Sequence, residues 1–149
     1  MHNNGENAMK CLIVKPNFAQ WIVQGVKRRE FRKQYTYNRG RIGIMEPGGW
    51  HSPGGMMRRI IGDVDLYDCV LCRDGREAGL YAWLLCNPRM YKAPVFVPIQ
   101  HGPQVWINAE YDIPAEFATI KLTGEERMCA ELDCIKEEFR FFAKWKESK

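Results

Sequence analysis

The sequence predicts an α+β domain: a small β-barrel of five to six mostly antiparallel strands, with a short helix near the N-terminus and a long helix at the C-terminus. Three observations predict it. Short segments with strand-like alternation or compact apolar runs recur along the first two thirds of the chain. Apolar residues fall at helical spacing in only two places, 16–25 and 123–149. No repeat, low-complexity tract or long linker divides the 149 residues, which is the size of one ordinary domain.

The elements follow in order. Residues 1–8 are polar and read as a disordered leader, with the barrel domain running over 9–122. "KCLIVK", 10–15, is an apolar run closed by a proline and predicts a buried strand. Pro16 suits the first turn of a helix, and Phe18, Trp21 and Ile22 give that helix an apolar face. Gly25 predicts its C-terminal cap. From Lys27 the period becomes two. Arg29, Phe31 and Lys33 share one face of a strand, and Arg28, Glu30 and Arg32 share the other. "RIGIME", 41–46, is the next strand, and "PGGWHSPGG", 47–55, is a loop by composition.

Residues 58–72 alternate around Ile61, Val64 and Leu66, with Gly62 predicting a bend or bulge. "LYAWLLC", 80–86, is a strong strand. The proline-rich stretch that follows predicts an extended connection ending in a short strand at 105–108. Thr123 and Glu126 make a capping box for the last helix, 123–149. Its apolar stripe is Met128, Leu132, Ile135, Phe139 and Phe142, widened by Phe141 and Trp145. The stripe is expected to pack on the domain or to form a homodimer contact.

Composition excludes some classes. No run of eighteen apolar residues exists, so no membrane span is expected. The N-terminus lacks the apolar core of a signal peptide, which gives a cytoplasmic expectation with reduced thiols. Cys11 and Cys86 read as buried small hydrophobes. Cys69 and Cys72 form a lone C-x-x-C with no second half, and Cys129 and Cys134 have poor chelating spacing, so neither a metal nor another cofactor is expected. The motifs of phosphate-loop hydrolases, dinucleotide-binding folds, serine hydrolases and zinc proteases are absent.

The charge is uneven. The net charge is only +4, but Lys27 to Arg41 holds seven Lys/Arg and one acid, Glu30. Like charges repel, so such a run is either a solvated basic face or the lining of an anion site.

"LIVKPNFAQWIVQGVKRREFRK" resembles the opening of the ASCH family, a branch of the PUA-like superfamily: a strand, a proline-initiated helix, then G-x-K-x-x-E-x-R, here Gly25, Lys27, Glu30 and Arg32. "IIGDVDLYDCV", "LYAWLLCNPRM" and "PVFVPIQHGPQVWIN" resemble the later strands of that family, so the likeness covers roughly 10–108 and leaves out the last helix. The resemblance implies a PUA-like barrel with a cleft beside the first helix. It implies binding of RNA, another single-stranded nucleic acid or a modified nucleoside, and in some members hydrolysis of acylated cytidine or of RNA. Deacylating members carry a threonine where this chain has Glu30, which leaves Lys27 as the only carried-over group for that reaction.

The expected roles are these. Lys27 and Glu30 are the candidate catalytic pair, with Lys27 in a turn and its pKa lowered by neighbouring arginines. A purely structural ion pair is the plainer account of the two. Arg29, Arg32, Lys33 and Arg39 are candidate phosphate ligands. Glu30 is the candidate reader of a base edge. Lys15 matches the basic residue that the resemblance places at the mouth of the cleft, Tyr35 and Trp50 are candidate stacking groups, and Arg89, in "NPR", is a further candidate nucleic-acid contact. Trp83 and Trp106 are expected in the core. His51 and His101 are weak catalytic candidates.

Overall fold

The computed structural model describes residues 8–49, 52–99 and 104–148. Six strands are present: β1 (Ala8–Ile13), β2 (Arg29–Arg32), β3 (Gly40–Glu46), β4 (Met57–Leu71), β5 (Tyr81–Pro98) and β6 (Trp106–Glu110). Two helices accompany them, α1 (Pro16–Val23) and α2 (Gly124–Glu147). The strands form one sheet in the order β2-β5-β4-β3-β1-β6. Only β1 and β3 run parallel; the other four ladders are antiparallel. The sheet curls into a half-barrel, with β2 and β6 as its edges. No described helix is long and apolar enough to cross a membrane.

Local chemistry explains the first third. Pro16 opens α1, and Gly25 ends it at φ +76°, a conformation that costs a glycine nothing. The alternation of β1, β3 and β4 then splits the sheet into two apolar faces. Leu12, Val14, Ile42, Ile44, Ile61, Val64 and Leu66 face α1, which buries Ala19, Ile22 and Val23 against them. Trp83 joins this layer, buried and stacked on Trp106 with ring centres 5.8 Å apart. Cys11, Met45, Ile60 and Ile107 point the other way and pack with Tyr91 and Tyr111. Gly62 marks the expected bulge: a side chain there would run into the backbone oxygen of Arg89 and into Val23.

The proline-rich stretch departs from expectation. Instead of a connection it is the second half of β5, an 18-residue strand paired along β4. Its prolines sit at breaks of register or at the strand end. Pro88 follows Asn87, which has φ +51° in a break of register, Pro94 lies in the next break, and Pro98 ends the strand. Cys86 is half-buried rather than buried. The short strand expected at 105–108 becomes β6, which continues to Glu110. β1 begins at Ala8, earlier than its apolar run, because β6 pairs with it from that residue.

The last helix also departs from expectation. Thr123 caps it by accepting the Glu126 amide at 3.1 Å. Of the expected apolar surface, Phe142 and Trp145 are buried and Phe141 is half-buried. Met128, Leu132, Ile135 and Phe139 are 60%, 52%, 42% and 41% exposed. The neighbouring stripe docks instead: Cys134 and Trp145 are buried, and Glu138 and Phe141 lie between them. Phe142 meets Phe31 edge-on at 4.9 Å over Leu80 and Ala82, so α2 covers the outer face of β2 and β5.

Candidate functional site

A cleft of about 430 Å³ opens between the start of α1, the end of β1, strand β2 and the middle of α2. Ile13, Phe18, Phe31, Pro47 and Phe141 give it apolar walls, and Lys15, Lys27, Glu30, Arg32 and Glu138 give it charge. That mixture, mostly apolar with a few fixed polar groups, suits a small planar ligand.

The charged groups are placed by local geometry. The chain leaves Gly25 in a turn and enters β2 at Arg29, so Lys27 precedes the strand and shares the side of Glu30. Pairing with β5 sets Glu30 opposite Trp83 and turns Glu30 and Arg32 to the α1 side of the sheet. Glu30 is 5% exposed and Lys27 is 4% exposed. Arg32 holds Glu30 Oε2 through Nε at 2.9 Å and Nη2 at 2.7 Å. Its Nη2 also donates to the Ile13 carbonyl at 2.9 Å, and its guanidinium lies 5.5 Å from the Trp83 ring. This arginine braces β2 against the end of β1.

Lys27 Nζ is 2.5 Å from Glu138 Oε2 and 3.6 Å from Glu30 Oε1. It also lies against the faces of Phe18 and Phe31, at 4.7 and 5.2 Å. Its nearest charges are therefore carboxylates. The 3.6 Å separation exceeds hydrogen-bond range, so Glu30 Oε1 keeps acceptor capacity while Oε2 is engaged.

The other expected ligands scatter: Arg29 faces the opposite side of β2 from Glu30, and the rest lie off that strand. Arg29 lies over the Phe31 ring at 5.0 Å, on the α2 side. Lys33 is exposed beyond the strand end. Arg39 binds the Tyr35 hydroxyl at 2.9 Å and the Thr36 carbonyl at 2.8 Å, and Tyr35 packs on Tyr37 and Tyr81 in a separate surface cluster. Arg89 is committed to Asp63. Trp50, His51 and His101 lie outside the described residues. Of the expected site residues, Lys15, Lys27, Glu30 and Arg32 meet at one cleft.

Sequence reasoning missed Glu138 and Phe141, which α2 brings to the cleft. A signal existed. Cys134, Glu138, Phe141 and Trp145 recur at steps of four, three and four, and an acid inside such a stripe asks for a buried partner.

It also missed a second buried cluster. Asp63, on β4, is fully buried. Arg41 Nε and Arg89 Nε each reach its Oδ1 at 2.7 Å, and Arg89 Nη2 reaches Oδ2 at 3.0 Å. The Tyr91 hydroxyl donates to Oδ2 and stands 2.9 Å from the Tyr111 hydroxyl. Burial works against ionisation of Asp63, but the hydrogen bonds from Arg89, Tyr91 and Arg41 outweigh it and hold its carboxyl below the ordinary range. Burial likewise pushes the Cys11 thiol up to about 12 and the Cys134 thiol up to about 11.

The C-x-x-C cysteines face opposite sides of the sheet edge, Cys69 in the layer against α1 and Cys72 against the α2 layer. The chain matches no protein-family model and no curated protein.

Proposed function

We propose that this chain is an ASCH-type domain of the PUA-like superfamily and that its cleft holds one unpaired base of RNA, or a modified nucleobase. Glu30 carries the reading. A buried carboxylate with one oxygen braced by Arg32 and the other left with acceptor capacity, at the edge of an apolar cleft, fits the N–H edge of a heterocycle. Phe18, Phe31 and Phe141 offer aromatic surface for the ring. Three cations against two acids around the cleft do not suit a polyanion inside it. Phosphates belong at the rim, where Lys15 is exposed. The curled six-stranded sheet with a helix beside the cleft is compatible with a PUA-like barrel.

Hydrolysis of RNA or of an acylated nucleoside through Lys27 and Glu30 is the other reading. With Lys27 Nζ held between Glu138 and Glu30, the cleft reads first as a binding site.

The test is incubation with short single-stranded RNA at low salt with a chelator, following both binding and product. The expected result is binding that weakens as salt rises, without product, and that is lost in Glu30→Gln. Affinity unmoved by salt overturns RNA binding. Product from the wild type that disappears in Lys27→Ala replaces the reader with an enzyme.

A further inference from the structure

A second hollow, of about 440 Å³, lies behind Lys27, between the end of α1, the bulge of β5 and the first turns of α2. Its polar lining is Gln24, Lys27, Arg28, Asn87 and Arg127. No carboxylate lines it. The contrast with the hollow next to it is direct: that one shares Lys27 and Arg28 and adds Arg29, but Glu131 and Glu138 offset two of the three charges there. Every arginine in the two buried clusters has an acid, whereas Arg28 and Arg127 pair with none among the described residues. The Nε of Arg28 makes only a long bond, 3.5 Å, to the Gly25 carbonyl.

Arg28 and Arg127 come from opposite ends of the chain. Folding brings two guanidiniums without an acid, Arg28 exposed and Arg127 half-buried, to one concave surface, which concentrates positive potential where an anion can enter. Guanidiniums present forked donors that match phosphate oxygens. We infer that this hollow is a phosphate subsite, distinct from the base cleft and separated from it by Lys27, which lines both. In the RNA reading, on which this assignment to a strand rests, it takes a backbone phosphate next to the bound base. The same chemistry would also accept free phosphate or a nucleoside monophosphate.

The experiment compares the full chain with Arg28→Gln, Arg127→Gln and the double variant. Each is titrated with short single-stranded RNA over a salt series, with an unphosphorylated nucleoside, and with inorganic phosphate observed at the arginine side-chain signals by NMR. Melting curves confirm that the variants fold. The subsite predicts that the slope of log affinity against log salt falls by about 0.7 for each phosphate contact removed. Nucleoside binding stays unchanged. An unchanged RNA slope in the double variant overturns the inference where RNA binds the wild type. If neither RNA nor nucleoside binds, the RNA reading fails, and the phosphate titration decides alone. Saturable shifts at both Arg28 and Arg127 in the wild type, with the Arg127 shift lost in Arg28→Gln and the Arg28 shift lost in Arg127→Gln, retain the subsite for free phosphate. No shift at either arginine removes it.

Discussion

Glu30 and Asp63 are both buried carboxylates braced by cations, and they differ in what surrounds them. Asp63 sits in the middle of the sheet with both oxygens engaged, by Arg41, Arg89 and Tyr91. Glu30 sits on the edge strand β2 with one oxygen engaged and a cleft beside it. The ingredients are alike, so composition does not separate a structural cluster from a binding site. Saturation does. A carboxylate whose acceptors are all used can only hold the fold together, and one with capacity left over beside a cavity can take a ligand. The partners differ too. Asp63 draws on strands β3, β4 and β5, while the Glu30 cluster needs α2 to supply Glu138.

The sharpest way to break this comparison is Asp63→Ala. It leaves two guanidiniums and a tyrosine hydroxyl without their partner and is expected to cost about 3–5 kcal/mol in denaturant unfolding. A cost below about 1 kcal/mol would mean that the cluster does not hold the sheet. Next comes Phe142→Ala, which truncates the ring that docks α2 on Phe31. A loss of about 3 kcal/mol is expected, with weaker ligand binding because Glu138 and Phe141 are displaced with the helix. Binding that survives a loosened α2 would show the cleft to be independent of it.

Glu30→Gln should separate the two clusters most clearly. Its stability cost should be smaller than that of Asp63→Ala, while ligand affinity falls about tenfold or more, as for loss of a charge-assisted hydrogen bond. The reverse ranking, stability lost and affinity kept, would make Glu30 structural.

A pH series gives a smaller effect. The folded Asp63 carboxyl titrates below its unfolded value, so the stability it confers is complete above the ordinary carboxylate pKa of about 3.9 and is lost as pH falls through the lower folded value. Asp63→Asn should flatten that acid limb, and Glu30→Gln should leave the Asp63 share of it in place. Thiol labelling is the mildest probe. Exposed Cys129 should react first near neutral pH, and Cys11, buried and raised to about 12, only on unfolding.

Much of the fold was legible because the forces that set it act over a few residues. Pro16 starts α1, Gly25 stops it, Thr123 caps α2, and the period of two from Lys27 onward makes β2. The same local reading placed Lys27 in the turn beside Glu30, while the family resemblance put Lys15 at the cleft mouth, and both line one cleft with Arg32. It gathered Arg29, Lys33 and Arg39 into one site, whereas Arg29 faces the opposite side of β2 from Glu30 and Lys33 and Arg39 lie beyond the strand end, which charge density along a sequence does not show. It also broke β5 at its prolines, which the structure fits into bulges and a strand end.

The sequence by itself determined which segments are strands and helices, apart from the second half of β5, where the helices begin, and that a lysine, a glutamate and an arginine stand together after α1. Only the tertiary structure decided which of two adjacent apolar stripes of α2 is buried. Both stripes satisfy helical spacing, and the choice falls to the one whose shape fits Phe31, Leu80 and Ala82 and whose acid, Glu138, finds Lys27 across 111 residues of chain. Contacts of that separation depend on the surface already built by the sheet, which no local pattern encodes.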